Sequence, residues 1–175
     1  RVQRALGRSS VAATWAERRA GGSGQGSAGL DATLFFSPTF GFTGQLVQSY
    51  GAFDDGATAF FLRPSYDSPT GHVHVRYSYL GDRFGDNINA IGFVRDDNRR
   101  ELDSSAEKTL WFAAGVLEQM QYSSNYNIYW GQTGILRSWQ IDESLGVELR
   151  NRWRPSVSYT EEYKLFEKDF RNRQV

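Results

Sequence analysis

The chain has 175 residues, 20 of them basic and 20 acidic, so the molecule as a whole carries no field that would draw it to nucleic acid or anionic lipid. It has no cysteine, which excludes disulfides, thiolate zinc sites and cysteine nucleophiles. Eighteen glycines, 15% aromatic residues and a single methionine favour strands and turns, and no apolar run approaches the ~20 residues of a membrane helix.

In chain order, the start at Arg1 rather than Met reads as a processed or partial chain whose targeting segment lies elsewhere. Residues 11–15 form the first strand expected, and residues 20–29 read as a flexible Gly/Ser-rich loop. Leu30, Ala32, Leu34 and Phe36 make the apolar side of the next strand, which the turn Ser37-Pro38-Thr39 separates from a strand over 40–50. A loop over 51–57 precedes a strand over 58–66, and Ser68-Pro69-Thr70-Gly71 is a turn. Between His72 and Tyr79 the alternation is strict: Val73, Val75, Tyr77 and Tyr79 face one way, and His72, His74, Arg76 and Ser78 the other. After a strand over 102–112, the pattern returns from Glu118 to Trp130. There Met120, Tyr122, Tyr126, Ile128 and Trp130 oppose Gln119, Gln121, Ser123, Asn125 and Asn127. The turn Gly131-Gln132-Thr133-Gly134 and Pro155 punctuate strands over 135–141, 147–153 and 157–165. One apolar and one wet face per strand, with short connections, predicts an all-β antiparallel meander of long strands: a β-barrel, or a barrel-derived sheet or sandwich. The whole of 1–175 reads as a single β domain, or as a segment of a longer barrel.

One stretch is more distinctive than its periodicity. Tyr79-Leu80-Gly81-Asp82-Arg83-Phe84 leads through Asn87 to Gly92-Phe93-Val94-Arg95, then Asp97 and Arg99-Arg100. With the opening Arg1-Val2-Gln3-Arg4 and the strand over 29–36, it resembles the barrel-like region of unknown function that follows a family-9-type carbohydrate-binding domain in bacterial envelope proteins. The segment between Phe84 and Gly92 is longer than in that family and lacks its Pro-Glu. The resemblance implies a bacterial cell-envelope protein at the outer membrane or its periplasmic side, and assigns no chemical role to any residue.

Candidate chemistry is sparse. His72 and His74 share a strand face and could be two metal ligands, but as polar residues on a wet face they need no metal. The carboxylates of Asp54-Asp55-Gly56, 82–86 and Asp96-Asp97-Asn98 lack calcium-loop spacing. Glu161 and Glu162 are adjacent and point to opposite faces, so they cannot flank a glycosidic bond. No Gly-x-Ser-x-Gly elbow or phosphate loop is present. These observations point away from an enzyme, and from any cofactor. Glu148, Arg150, Arg152 and Arg154 read as one strand face, a cross-strand salt-bridge ladder in preference to a nucleic-acid stripe.

The aromatic set is the candidate interaction surface: Trp111, Trp130, Trp139, Trp153 and Tyr126, with Arg150 and Arg152. Amphipathic rings suit a boundary between apolar and wet surroundings, so the expected partner is membrane lipid or a membrane protein, with no nucleic acid. Three functions follow: a non-catalytic structural or interaction protein of the envelope, an accessory subunit stabilising a larger membrane complex such as an energy-transducing one, or a carbohydrate-binding module. The first expects the apolar strand faces to join as one band or one packed interior.

Overall fold

The computed structural model describes residues 1–89, 94, 96–166 and 168–175. It is one antiparallel sheet in which eleven strands lie in sequence order: β1 (Val2–Leu6), β2 (Ser9–Ala20), β3 (Ser23–Phe35), β4 (Phe40–Tyr50), β5 (Thr58–Ser68), β6 (Gly71–Leu80), β7 (Arg99–Trp111), β8 (Leu117–Trp130), β9 (Leu136–Leu149), β10 (Ser156–Phe166) and β11 (Lys168–Gln174). A five-residue helix, α1 (Phe84–Ile88), interrupts the connection from β6 to β7. The sheet is not closed into a barrel and has no second sheet against it, so of the expected forms the open meander is the one adopted. Eleven alternating strands leave the two edges, β1 and β11, running in the same direction.

β2 through β10 each contain 10–14 residues. Eleven residues at ~3.3 Å each span about 36 Å, or about 25 Å along the normal when tilted by ~45°. That is about the height of a bilayer's apolar band. Pro64 sits inside the central strand β5, and the β5–β6 ladder skips from Leu62↔Tyr77 to Ser65↔His74 around it, because proline has no N–H to donate.

Two expectations are corrected. Residues 20–29 are no flexible loop: Gly21 and Gly22 make a two-residue hairpin turn, with φ of 58° and 85°, and Ser23 begins β3. Side chains at that end of β3 are small because the neighbours are close. A Cβ on Gly26 would lie 2.2 Å from the Ala16 carbonyl oxygen and 2.5 Å from the Tyr50 hydroxyl. The small residues mark strand packing, and the ladders to β2 and β4 impose the strand. Residues 135–141 and 147–153 are likewise not two strands; β9 runs unbroken through Asp142-Glu143-Ser144 and ends at Leu149. Arg150 and Arg152 therefore lie in the β9–β10 turn and not on a strand face. Arg152 has φ 71°, its N–H donates to the Leu149 carbonyl (2.8 Å), and Asn151 Oδ1 accepts from the Trp153 N–H (3.2 Å). Asn151 and Pro155 supply turn chemistry that overrides the alternation of the arginines. Of the expected ladder, the Arg154–Glu148 pair forms (2.7 Å).

Candidate functional site

Register fixes which residues share a face, since directly paired residues point the same way. From Tyr126 the pairing runs through Ser104, Val75 and Tyr77 to Leu62 and Phe60, then Leu46, Leu30, Ala13 and Val2. In the other direction it runs through Ile141 to Glu161 and Arg173. The apolar halves of the strands thus join as one band from β1 to β10.

The band is on the open side of the sheet. Leu30 and Leu46 are 62% and 51% exposed, and Trp15, Leu62, Val73, Val75 and Val157 are exposed as well. On the opposite face Ser78 is 3% and Glu101 8% exposed, and Ser49 is buried. Large apolar side chains thus stay open on one face, while small and polar side chains on the other are covered.

Within the apolar band the aromatic rings gather towards one end of the strands. Trp15 Nε1 donates to the Tyr50 hydroxyl (2.7 Å). Phe60 stacks on Tyr79 (5.2 Å between centroids), Tyr77 approaches Trp130 (6.3 Å), and Trp139 stacks on Tyr163 (6.5 Å). Pairing puts Phe60, Tyr79 and Trp130 in one row and Tyr77, Trp139 and Tyr163 in the next, with Trp15 and Tyr50 nearer the rim that holds the 51–57 connection.

The polar face carries a hydrogen-bonded network. His72 Nδ1 lies 2.5 Å from Asp67, His72 Nε2 lies 2.8 Å from His74 Nδ1, and His74 Nε2 lies 3.4 Å from Asp103. Asn127 donates to Glu101 (3.2 Å) and Asp103 (3.5 Å). Arg76 Nε, Ser78 Oγ, Arg99 Nε and Asn127 Oδ1 are buried in the same region with no protein partner, so water is the partner such a face calls for. Among the described residues no cluster of three or more His, Asp or Glu is arranged to hold a metal ion.

One sector of the apolar band is different. On β9–β11 it carries Glu143, Glu161, Asp169, Arg171 and Arg173. Glu143 accepts from Tyr122 (2.6 Å) and Ser124 (2.7 Å), and Glu161 accepts from Tyr159 and Arg173 (3.0 Å for the arginine). Glu162 points to the other face and pairs with Lys164 (2.7 Å), so the two adjacent glutamates do diverge.

The candidate interaction residues divide into two groups. Trp130, Trp139 and Tyr126 lie on the apolar face, the two tryptophans in its aromatic rows. Trp111, Trp153, Arg150 and Arg152 lie at the rim formed by the β7–β8 and β9–β10 turns, where Arg150 donates to the carbonyls of Phe112 (2.6 Å) and Gly115 (2.9 Å). The opposite rim has residues that the sequence did not single out as structural. The Asn87 amide donates to Ser49 Oγ (3.2 Å) and the Phe53 carbonyl (2.8 Å) and accepts from the Phe53 N–H (3.0 Å). Gln132 bridges the Leu80 carbonyl (2.7 Å) and Asn98 (2.9 Å). Polar residues in Gly- and Asp-rich loops gave no signal that would distinguish these two from solvated turn residues. Of Gly92-Phe93-Val94-Arg95, only Val94 falls among the described residues, and its N–H donates to Asn89 Oδ1 (3.0 Å).

The chain matches no family model, no curated protein and no solved structure.

Proposed function

We propose that this chain is a non-catalytic, barrel-derived structural β-protein of the bacterial cell envelope, held in the outer-membrane bilayer by its apolar face. The supporting observation is the division of the two faces: an apolar band across β1–β10 left open on one and a polar network on the other. In a bilayer the band meets acyl chains and the polar face meets water, so each side finds the medium its side chains suit. Aromatic rings gathered towards one end of the strands and strands of 10–14 residues fit the same placement.

A second reading, an accessory subunit of a larger membrane assembly, draws support from the sector on β9–β11. Charges facing lipid are costly, and Glu143, Glu161, Arg171 and Arg173 suit a protein neighbour at that position.

The test is to refold the full chain from denaturant into buffer and into phospholipid vesicles, following strand content by circular dichroism and association by flotation. The reading expects native strand signal and flotation only with lipid. A stable monomer in buffer without detergent contradicts it. Specific capture of other membrane proteins, lost when Glu161 and Arg173 are replaced, favours the accessory subunit.

A further inference from the structure

The absence of net charge conceals a separation of charge along the strands. At one rim the five connections, 7–8, 36–39, 69–70, 112–116 and 150–155, carry Arg8, Arg150, Arg152 and Arg154 and no Asp or Glu. At the other rim the connections carry, among the described residues, Asp54, Asp55, Asp82, Asp86, Asp96 and Asp97 against one arginine, Arg83. The basic rim's connections have two to six residues, and the acidic rim has the two longest, 51–57 and the one that contains α1.

The basic rim is also apolar at its tips. Trp111 is 64% and Trp153 72% exposed, and Phe36 and Val116 are exposed beside them. Arg150 ties the two tryptophan-bearing turns together through the Phe112 and Gly115 carbonyls. Arg154 is paired with Glu148, whereas Arg8 and Arg152 have no carboxylate within ion-pair distance among the described residues. Arg8 lies over the Phe35 ring (4.8 Å), which keeps its charge at the edge of an aromatic surface.

We propose that this basic rim binds anionic phospholipid headgroups, with Arg8 and Arg152 on phosphates and Trp153 at the boundary with the acyl chains. The proposal rests on the bilayer reading above and adds to it a side and a lipid class. The rim borders the apolar band, so with the band among acyl chains the groups beside these arginines are headgroups. Exposed cations next to indoles complement a phosphate layer in charge and in polarity. The acidic rim repels such a layer, and this gives the chain one orientation in a membrane whose leaflets differ.

The test uses the full chain in bilayers of phosphatidylcholine and phosphatidylglycerol in which bromine quenchers sit on the acyl chains of one lipid or the other, at equal mole fraction. A variant keeping only Trp153 reports lipid at the basic rim, and one keeping only Trp130 reports lipid at the other. The expected result is local enrichment of phosphatidylglycerol around Trp153 of about fivefold, the effect of one arginine near an anionic surface. Arg152→Gln abolishes that enrichment, Arg152→Lys retains it, and Trp130 shows none. If single-tryptophan chains do not fold, the phosphatidylglycerol-specific quenching lost on Trp153→Phe in the otherwise native chain gives the same reading. Equal quenching of Trp153 by the two brominated lipids, with both quenching, overturns the proposal and leaves the bilayer reading standing. No quenching of either tryptophan by either lipid overturns both.

Discussion

Leu46→Arg is the sharpest single perturbation of the apolar band. Leu46 is near the middle of β4, between Leu30 on β3 and Phe60 on β5, and is 51% exposed in the isolated chain. In water, an arginine at a half-exposed strand position changes stability by roughly 0.5 kcal/mol or less. In a bilayer two costs arise. The leucine's lost contact with lipid is about half of the 1.5–3 kcal/mol of a fully buried side chain, or ~1 kcal/mol. The arginine adds about 2–4 kcal/mol at the midplane. Together they predict ~3–5 kcal/mol, read as a shift in the urea midpoint for unfolding from phospholipid vesicles, followed by tryptophan fluorescence. Leu6→Arg, at the end of β1 beside the Gly7 turn, serves as the depth control and costs about 1 kcal/mol or less. Equal costs at the two positions, both below about 1 kcal/mol, would refute the claim that this face meets lipid.

Three further substitutions test the packing that supports the two faces. Gly26→Val places a Cβ 2.2 Å from the Ala16 carbonyl and against the Tyr50 ring; it destabilises by about 1–3 kcal/mol and shifts Trp15 emission, because Trp15 loses its bond to the Tyr50 hydroxyl. Asn87→Ala leaves the Phe53 N–H and carbonyl without their side-chain partner, so amide exchange at Phe53 accelerates by about 5- to 150-fold, equivalent to about 1–3 kcal/mol. Replacing Gly21 and Gly22 together by alanine forces two residues into the left-handed region, costs about 2–4 kcal/mol in thermal or urea unfolding, and frays β2 against β3 before the other strands.

The strands with an uninterrupted alternation were readable from the sequence. β6 and β8 carry Val, Tyr, Ile and Trp at every second position or nearly so, and their bounds match the pattern to within a few residues. Elements without that contrast were not readable. β1 is five residues with an arginine at its centre, and β11 is almost wholly polar; both exist because a neighbour offers a ladder. The first half of β3 is Gly, Ser, Gln and Ala, a composition that also suits a flexible loop, and the register to β4 decides it. β9 looked like two strands because Glu143 occupies an apolar-face position where Tyr122 and Ser124 hydrogen-bond it. The separation of the tryptophans into aromatic rows and a rim pair is a matter of register across non-adjacent strands, and a one-residue shift would reverse it. The opposite charge of the rims depends on which connections lie at which end, and that follows from the strand count rather than from any local motif.

On the reading proposed above, the sheet turns its apolar face to lipid and its polar face to water. A spin-label scan of residues 72–79 in β6, with the full chain in phospholipid bilayers, tests it directly. Labels at Val73, Val75, Tyr77 and Tyr79 are predicted to collide with oxygen dissolved in the acyl chains, and labels at His72, His74, Arg76 and Ser78 with a water-soluble nickel chelate, giving a two-residue period. The same eight positions equally accessible to the chelate, or the period in opposite phase, would contradict it.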